Sequence, residues 1–127
     1  MGERPDISMS PDEIAAFLAP QTRVIVAALD GTAPVGTVAG ARLSGVEVEI
    51  TLRDDDLVRA LLSTDDRVCV IAEQFPTYYE IKGVAAHGRA RFIDAGLGRT
   101  FRVGLDDATS FDFGKLPRAG DGSGKTV

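Results

Sequence analysis

The sequence predicts a mainly β protein, a small antiparallel barrel accompanied by two short helices. Three observations carry that expectation. Short runs that are apolar or strictly alternating recur along the chain, turn clusters such as Asp30-Gly31 and Ser44-Gly45 separate them at hairpin spacing, and helical periodicity is confined to SPDEIAAFLAP and LVRALLST. The resulting order is α, β, β, β, α, β, β, β, six strands in all, and a two-layer α+β sandwich is the competing arrangement of the same elements.

Each element has its own signal. Residues 1–9 read as a flexible N-terminal arm. Ser10 then caps a helix, with Pro11 suited to its first position, Glu13 placed for a capping box, and Ile14, Phe17 and Leu18 on one face. RVIVAAL (23–29) is apolar on both faces, which places it centrally in a sheet. A turn over 30–36 leads to TVAGARL (37–43) and then to VEVEITLR (46–53). In that strand Val46, Val48, Ile50 and Leu52 share the buried face, while Glu47, Glu49, Thr51 and Arg53 share the polar one. Asp54, Asp55 and Asp56 stand where a second helix begins, and capping of free N–H groups outweighs a metal site there. RVCVIAEQF (67–75) and IKGVAAHGRARFI (81–93) are the next strands, TFRVGL (100–105) with ATSFDF (108–113) supplies one or two final ones, and residues 117–127 read as a disordered tail. One domain over 10–116 accounts for the core.

Bulk properties narrow the function classes. The chain has 127 residues and a formal net charge of −5, from 14 Lys+Arg against 19 Asp+Glu. That balance argues against nucleic acid as a partner. Cys69 is the only cysteine, so no intrachain disulfide forms, and its setting in VCVIA reads as a buried small hydrophobe. A polar N-terminus and the lack of a long apolar run predict no secretory signal, no membrane span and a cytoplasmic protein.

Two motifs fail on inspection. GSGKT near the end has Ala119 where a phosphate loop needs glycine, with no strand leading into it and no helix after it. GLGRTF (96–101) lacks the third glycine of a dinucleotide fingerprint. One His and one Cys make no zinc cluster, and His87 has no partner at triad spacing.

The stretch EQFPTYYEIKGVAAHGRARF (73–92) concentrates the distinctive side chains. By parity Val84, Ala86, Gly88, Ala90 and Phe92 face the core, with Lys82 at the entrance. His87, Arg89 and Arg91 line the other face beside small residues. That face is either solvated or the wall of a site for a large anion. In the second reading Thr51 and Arg53 supply a hydroxyl and a guanidinium for a phosphate, Arg59 is a further candidate, and Tyr78 and Tyr79 cover a flat heterocycle or pack at a barrel rim.

The succession TLR…LVRALLSTDDRVCVIAEQFPTYYEIKGVAAHGRARFID resembles the central region of the pyridoxamine 5′-phosphate oxidase-like flavin-binding split barrels. The matching pieces are Leu62, Asp65, Arg67 and Val68, then Gly83, Val84, Gly88 and Ala90, with TSFDFGKL (109–116) similar to the last barrel strand; the likeness spans about residues 10 to 116. It implies a six-stranded split barrel that forms a homodimer, with FMN or a deazaflavin in a groove at the dimer interface. It also implies transfer of hydride or electrons to a small-molecule substrate. Thr51 and Arg53 match the phosphate side, and Lys82 to Arg89 match the groove wall. The family's helix lysine is replaced by Leu57 and Val58, with Arg59 as the substitute. Some split barrels bind haem or no flavin, so a non-catalytic flavin or haem carrier is the alternative. The likeness does not include the C-terminal substrate-binding extension of the true pyridoxamine phosphate oxidases, so their substrate is not expected here.

Overall fold

Val24, Val26 and Ala28 alternate with Ile25, Ala27 and Leu29, and in the computed structural model this run forms the interior strand β1 (Arg23–Asp30). The structure describes residues 6–63, 65–74, 80–93 and 99–116. Tyr78 and Tyr79, the turn over 94–98, and the tail with GSGKT lie outside those residues.

Helix α1 (Pro11–Leu18) starts as its sequence dictates: the Ser10 hydroxyl accepts from the Glu13 amide at 3.2 Å, and the Glu13 carboxylate accepts from the Ser10 amide at 2.9 Å. Strands β2 (Ala33–Ser44) and β3 (Glu47–Thr51) follow β1, then α2 (Asp55–Ser63). Asp54 caps α2 through its carboxylate, which accepts from the Leu57 amide at 3.1 Å. After α2 come β4 (Arg67–Gln74), β5 (Lys82–Arg89), β6 (Arg91–Ile93), β7 (Thr100–Gly104), β8 (Ala108–Asp112) and a 3-10 turn over Phe113–Lys115.

All strand pairs are antiparallel, in the order β6-β7-β3-β2-β1-β4-β5-β8. β5 and β6 are joined through Ala90 yet lie in opposite halves of that order, so the sheet curls round and is linked to itself there. Phe101, Ile50, Leu52, Val26, Val48 and Val103 are the largest fully buried side chains. Ile14, Phe17 and Leu18 of α1 and Leu57 and Leu61 of α2 join that core. This is the expected mainly β split barrel with two helices.

It has eight strands rather than six. The run 81–93 is broken at Ala90, whose amide leaves the ladder to donate to the Asp66 carbonyl at 2.7 Å. Phe92 keeps the face its parity predicts, directly opposite the buried Phe101, but on the edge strand β6 it stays exposed and meets Phe101 edge-on at 5.7 Å between ring centroids. β2 begins at Ala33, inside the expected turn, because Gly31 (φ 67) closes a two-residue loop. Pro34 is tolerated because β3 pairs only with Gly40–Ser44, leaving this part of β2 as an edge. Val46, expected in the core, sits in the turn that follows Gly45 (φ 63) and is exposed.

Residues 7–9, read from sequence as arm, lie against β8. The Asp112 amide donates to the Ile7 carbonyl at 2.7 Å, the Met9 amide donates to the Ser110 hydroxyl at 2.8 Å, and Met9 is buried. Among the described residues no helix is long and apolar enough to cross a membrane.

Lys115 ties the 3-10 turn to α1 through the Glu13 carboxylate at 2.8 Å. This contact, with the Ser10 amide, lowers the Glu13 pKa from its ordinary 4.5 to about 2. A carboxylate depressed on folding stabilises the protein above its unfolded pKa and loses that contribution as pH falls through the folded value. Thermal melts are therefore expected to fall between pH 4.5 and about 2, and Glu13→Gln to flatten that part of the profile. An unchanged acid limb in the variant would assign the loss to other carboxylates.

Candidate functional site

The outer surface of the curled sheet carries the side chains the core does not use, and hairpin register sorts them into rows. Arg23 pairs with Gly40, Gly40 with Thr51, and Thr51 with Thr100. Gly40 places no side chain between Arg23 and Thr51, and even an added Cβ would meet the Thr51 Cβ only at 3.7 Å. A pocket with a volume of about 530 Å³ opens here, lined by Thr22, Arg23, Gly40, Thr51 and Arg53 among others. The Thr51 hydroxyl lies 3.3 Å from that of Thr100, which is buried.

The electrostatics of this pocket set it apart. Arg42, Arg59, Arg67, Arg89, Arg91, Arg99 and Arg102 each meet a carboxylate. Among the described residues Arg23 and Arg53 are the arginines that do not. Two free guanidinium forks with threonine hydroxyls match the geometry of a phosphate or carboxylate anion.

The rest of the outer surface divides in two. Over β2, β3 and β7 it is charged: Glu49 is buried between Arg42 at 3.1 Å and Arg102 at 2.9 Å. Hydrogen bonds from Arg102, then Arg42, hold the Glu49 carboxyl below its ordinary range. Over β1, β4 and β5 it is apolar, with Val38, Ile25, Ile71 and Ala85 forming one cross-strand row that adjoins the arginine pocket.

Thr51 and Arg53, expected as phosphate ligands, stand together in the arginine pocket. His87 and Arg89 line a different groove of about 580 Å³ with Ala27, Leu29, Pro34 and Cys69. Arg89 is held by Asp66 at 2.5 Å and Arg91 by Glu47 at 2.9 Å, so two of the three cations expected on that face are paired. Arg59 pairs with Asp56 on its own helix, and Lys82 lies 3.9 Å from Asp112 in a third cavity against α1. Cys69, expected in the core, is half-buried on the outer face, where burial pushes its thiol pKa up. Among the described residues no three His, Cys, Asp or Glu side chains cluster as metal ligands.

Thr22, Arg23, Gly40 and Thr100 were not singled out in the sequence. A two-residue loop at Gly31-Thr32 pairs Arg23 with Gly40 by counting alone, so the signal was present in the hairpin length.

No protein-family model matches the sequence, and no curated protein matches it. Solved structures do match in fold. A conserved hypothetical protein of Mycobacterium tuberculosis aligns over 100% of this chain and 97% of its own, with a TM-score of 0.71 and 19% identity. A candidate pyridoxamine 5′-phosphate oxidase of Corynebacterium glutamicum aligns over 81% and 94%, with a TM-score of 0.66 and 10% identity. An FAD and haem binding protein of Mycobacterium smegmatis aligns over 81% and 71%, with a TM-score of 0.62 and 14% identity. At these identities the likeness establishes the fold, which is the one the sequence resemblance implied.

If the free guanidinia form the anion site, inorganic phosphate should perturb the amide resonances of Thr22, Gly40 and Thr51. Arg23→Ala should weaken that binding about tenfold, the effect of losing roughly 1.5 kcal/mol of charge-assisted bonding, whereas Arg59→Ala should leave it unchanged. Equal weakening by both variants would mean that general charge, not this pocket, attracts the anion.

Proposed function

We propose that this chain is a flavin-dependent oxidoreductase of the pyridoxamine 5′-phosphate oxidase-like class, working as a homodimer on a small organic molecule. One observation carries the reading: two unpaired arginines flank a side-chain gap at the head of an apolar sheet face. A phosphate that ends a flat, largely apolar cofactor has those same two requirements. FMN is the cofactor assigned, with a deazaflavin as the alternative carrying the same two features. Thr51, Arg53 and Arg23 hold the phosphate, and Thr100 orients the Thr51 hydroxyl. The cofactor supplies hydride transfer, and the chain supplies its orientation and its electrostatic surroundings.

The dimer is supported by the same face. Ile25 is 45% exposed and Val38 59%, side by side as cross-strand partners. Exposed aliphatic side chains grouped on one sheet face favour burial against a partner. A second copy covering this face also shields the cofactor from water.

A carrier that binds flavin or haem without turnover is the second reading. It draws on His87, the single histidine of the chain, which lines a groove with Ala27, Leu29 and Pro34 and would supply the imidazole that haem iron takes as a ligand. Titration of the purified protein with FMN, deazaflavin and haem, followed by turnover with reduced cofactor, separates the readings.

Two outcomes are expected. Arg53→Ala should weaken FMN about tenfold or more, since a charge-assisted phosphate contact contributes on the order of 1.5–3 kcal/mol; unchanged affinity moves the phosphate site elsewhere. Val38→Asp should convert a dimer to monomer in sedimentation, because like charges then face one another at the interface. A monomeric wild-type protein would remove the dimer from the account.

A further inference from the structure

The groove beside His87 is open to solvent and has a floor of small side chains. Gly36 pairs with Ala27, Ala27 with Cys69, and Cys69 with His87, so a row of small side chains crosses the outer face and stops at an imidazole. Val38, Ile25 and Ile71 form the ridge on one side, and Leu29 and Pro34 stand on the other. The His87 amide donates to the Asp107 carbonyl at 2.8 Å, away from β4, which makes Cys69 and His87 a non-hydrogen-bonded pair with close side chains. The row lies four residues along β1 from Arg23, about 13 Å at roughly 3.3 Å per residue. A cofactor anchored at the arginine pocket and lying along this face therefore reaches the groove.

We propose that this groove receives the substrate, a small flat molecule with a conjugated carbonyl, and that His87 is its proton donor. The proposal rests on the flavin reading above. The molecule's apolar body lies on Ala27, Leu29 and Pro34, and its carbonyl oxygen meets the imidazolium. The conjugated system gains a hydride from the reduced cofactor, and its oxygen gains the proton that His87 releases. For a quinone both C=O groups become C–OH as the ring turns aromatic: the near oxygen takes the proton from His87, the hydride equivalent ends as O–H on the far oxygen, its two electrons come from the reduced cofactor, and water reprotonates the imidazole. Imidazole is the side chain whose ordinary titration lies nearest neutrality, which suits it to this task. The groups around it are the Cys69 thiol across β4, Asp107 before β8, and two guanidinia already engaged, Arg89 with Asp66 and Arg67 with Asp65.

Duroquinone is a suitable probe, because its fully methylated ring does not readily alkylate Cys69. With one histidine in the chain, the His87 ring protons give an unambiguous resonance. Duroquinone is expected to shift that resonance in the cofactor-free protein, and Leu29→Arg, which fills the groove, to abolish the shift. In the flavin-loaded protein His87→Gln should slow reoxidation by duroquinone about a hundredfold at acidic pH and flatten its pH profile, with FMN affinity unchanged. No shift of the His87 resonance, or unaltered reoxidation in His87→Gln, would overturn the proposal. Failure of flavin to bind at all would overturn the flavin reading, while the resonance titration would still report on the groove.

Discussion

The register of two tight hairpins is the constraint on which the rest of the structure depends. Gly31 and Gly45 both adopt positive φ, at 67° and 63°, and each starts a two-residue loop. Those loops fix β1 against β2 and β2 against β3, and so bring Arg23, Gly40 and Thr51 into one row across the sheet. A slip of one residue in either hairpin would turn every side chain of a strand to the opposite face. Ile50 and Val48 would then leave the core, and Thr51 would leave the pocket. The burial of the core and the arrangement of the candidate site are thus enforced by the same two turns.

The outer surface shows how a curled sheet can serve two purposes. Its β3–β7 half is covered by ion pairs that suit contact with water, with Glu49 held between two guanidinia. Its β1–β4–β5 half exposes Ile25 and Val38 and has small side chains at Ala27, Cys69 and Ala85. The two unpaired arginines stand at the boundary between these halves. A ligand with a charged end and an apolar body finds both of its requirements there, and that is the surface feature on which the proposed flavin site rests.

Much of the fold was legible in the sequence because its signals are local. The capping box at Ser10 and Glu13, the alternation of Val48, Ile50 and Leu52, and the Asp54 cap of α2 each depend on neighbouring residues. What escaped depends on distant partners. Ala90 breaks a strand because Asp66 offers it a carbonyl, and Met9 is ordered because Ser110 lies beside it. The site was half legible for the same reason. Thr51 and Arg53 stand out on a cleanly alternating strand, whereas Arg23 opens an apolar run and gains meaning only once Gly40 is placed next to it. The cations at Arg89 and Arg91 looked free in the sequence, yet Asp66 and Glu47 come from elsewhere in the chain to meet them.

The central claim is that the arginine pocket recognises the phosphate of a cofactor whose body lies on the apolar face. The most direct measurement is the affinity of the protein for FMN compared with riboflavin, which has the same ring and side chain without the phosphate. The account predicts that FMN binds about ten- to a hundredfold tighter, corresponding to roughly 1.5–3 kcal/mol of charge-assisted contact. Equal affinity for the two would contradict it.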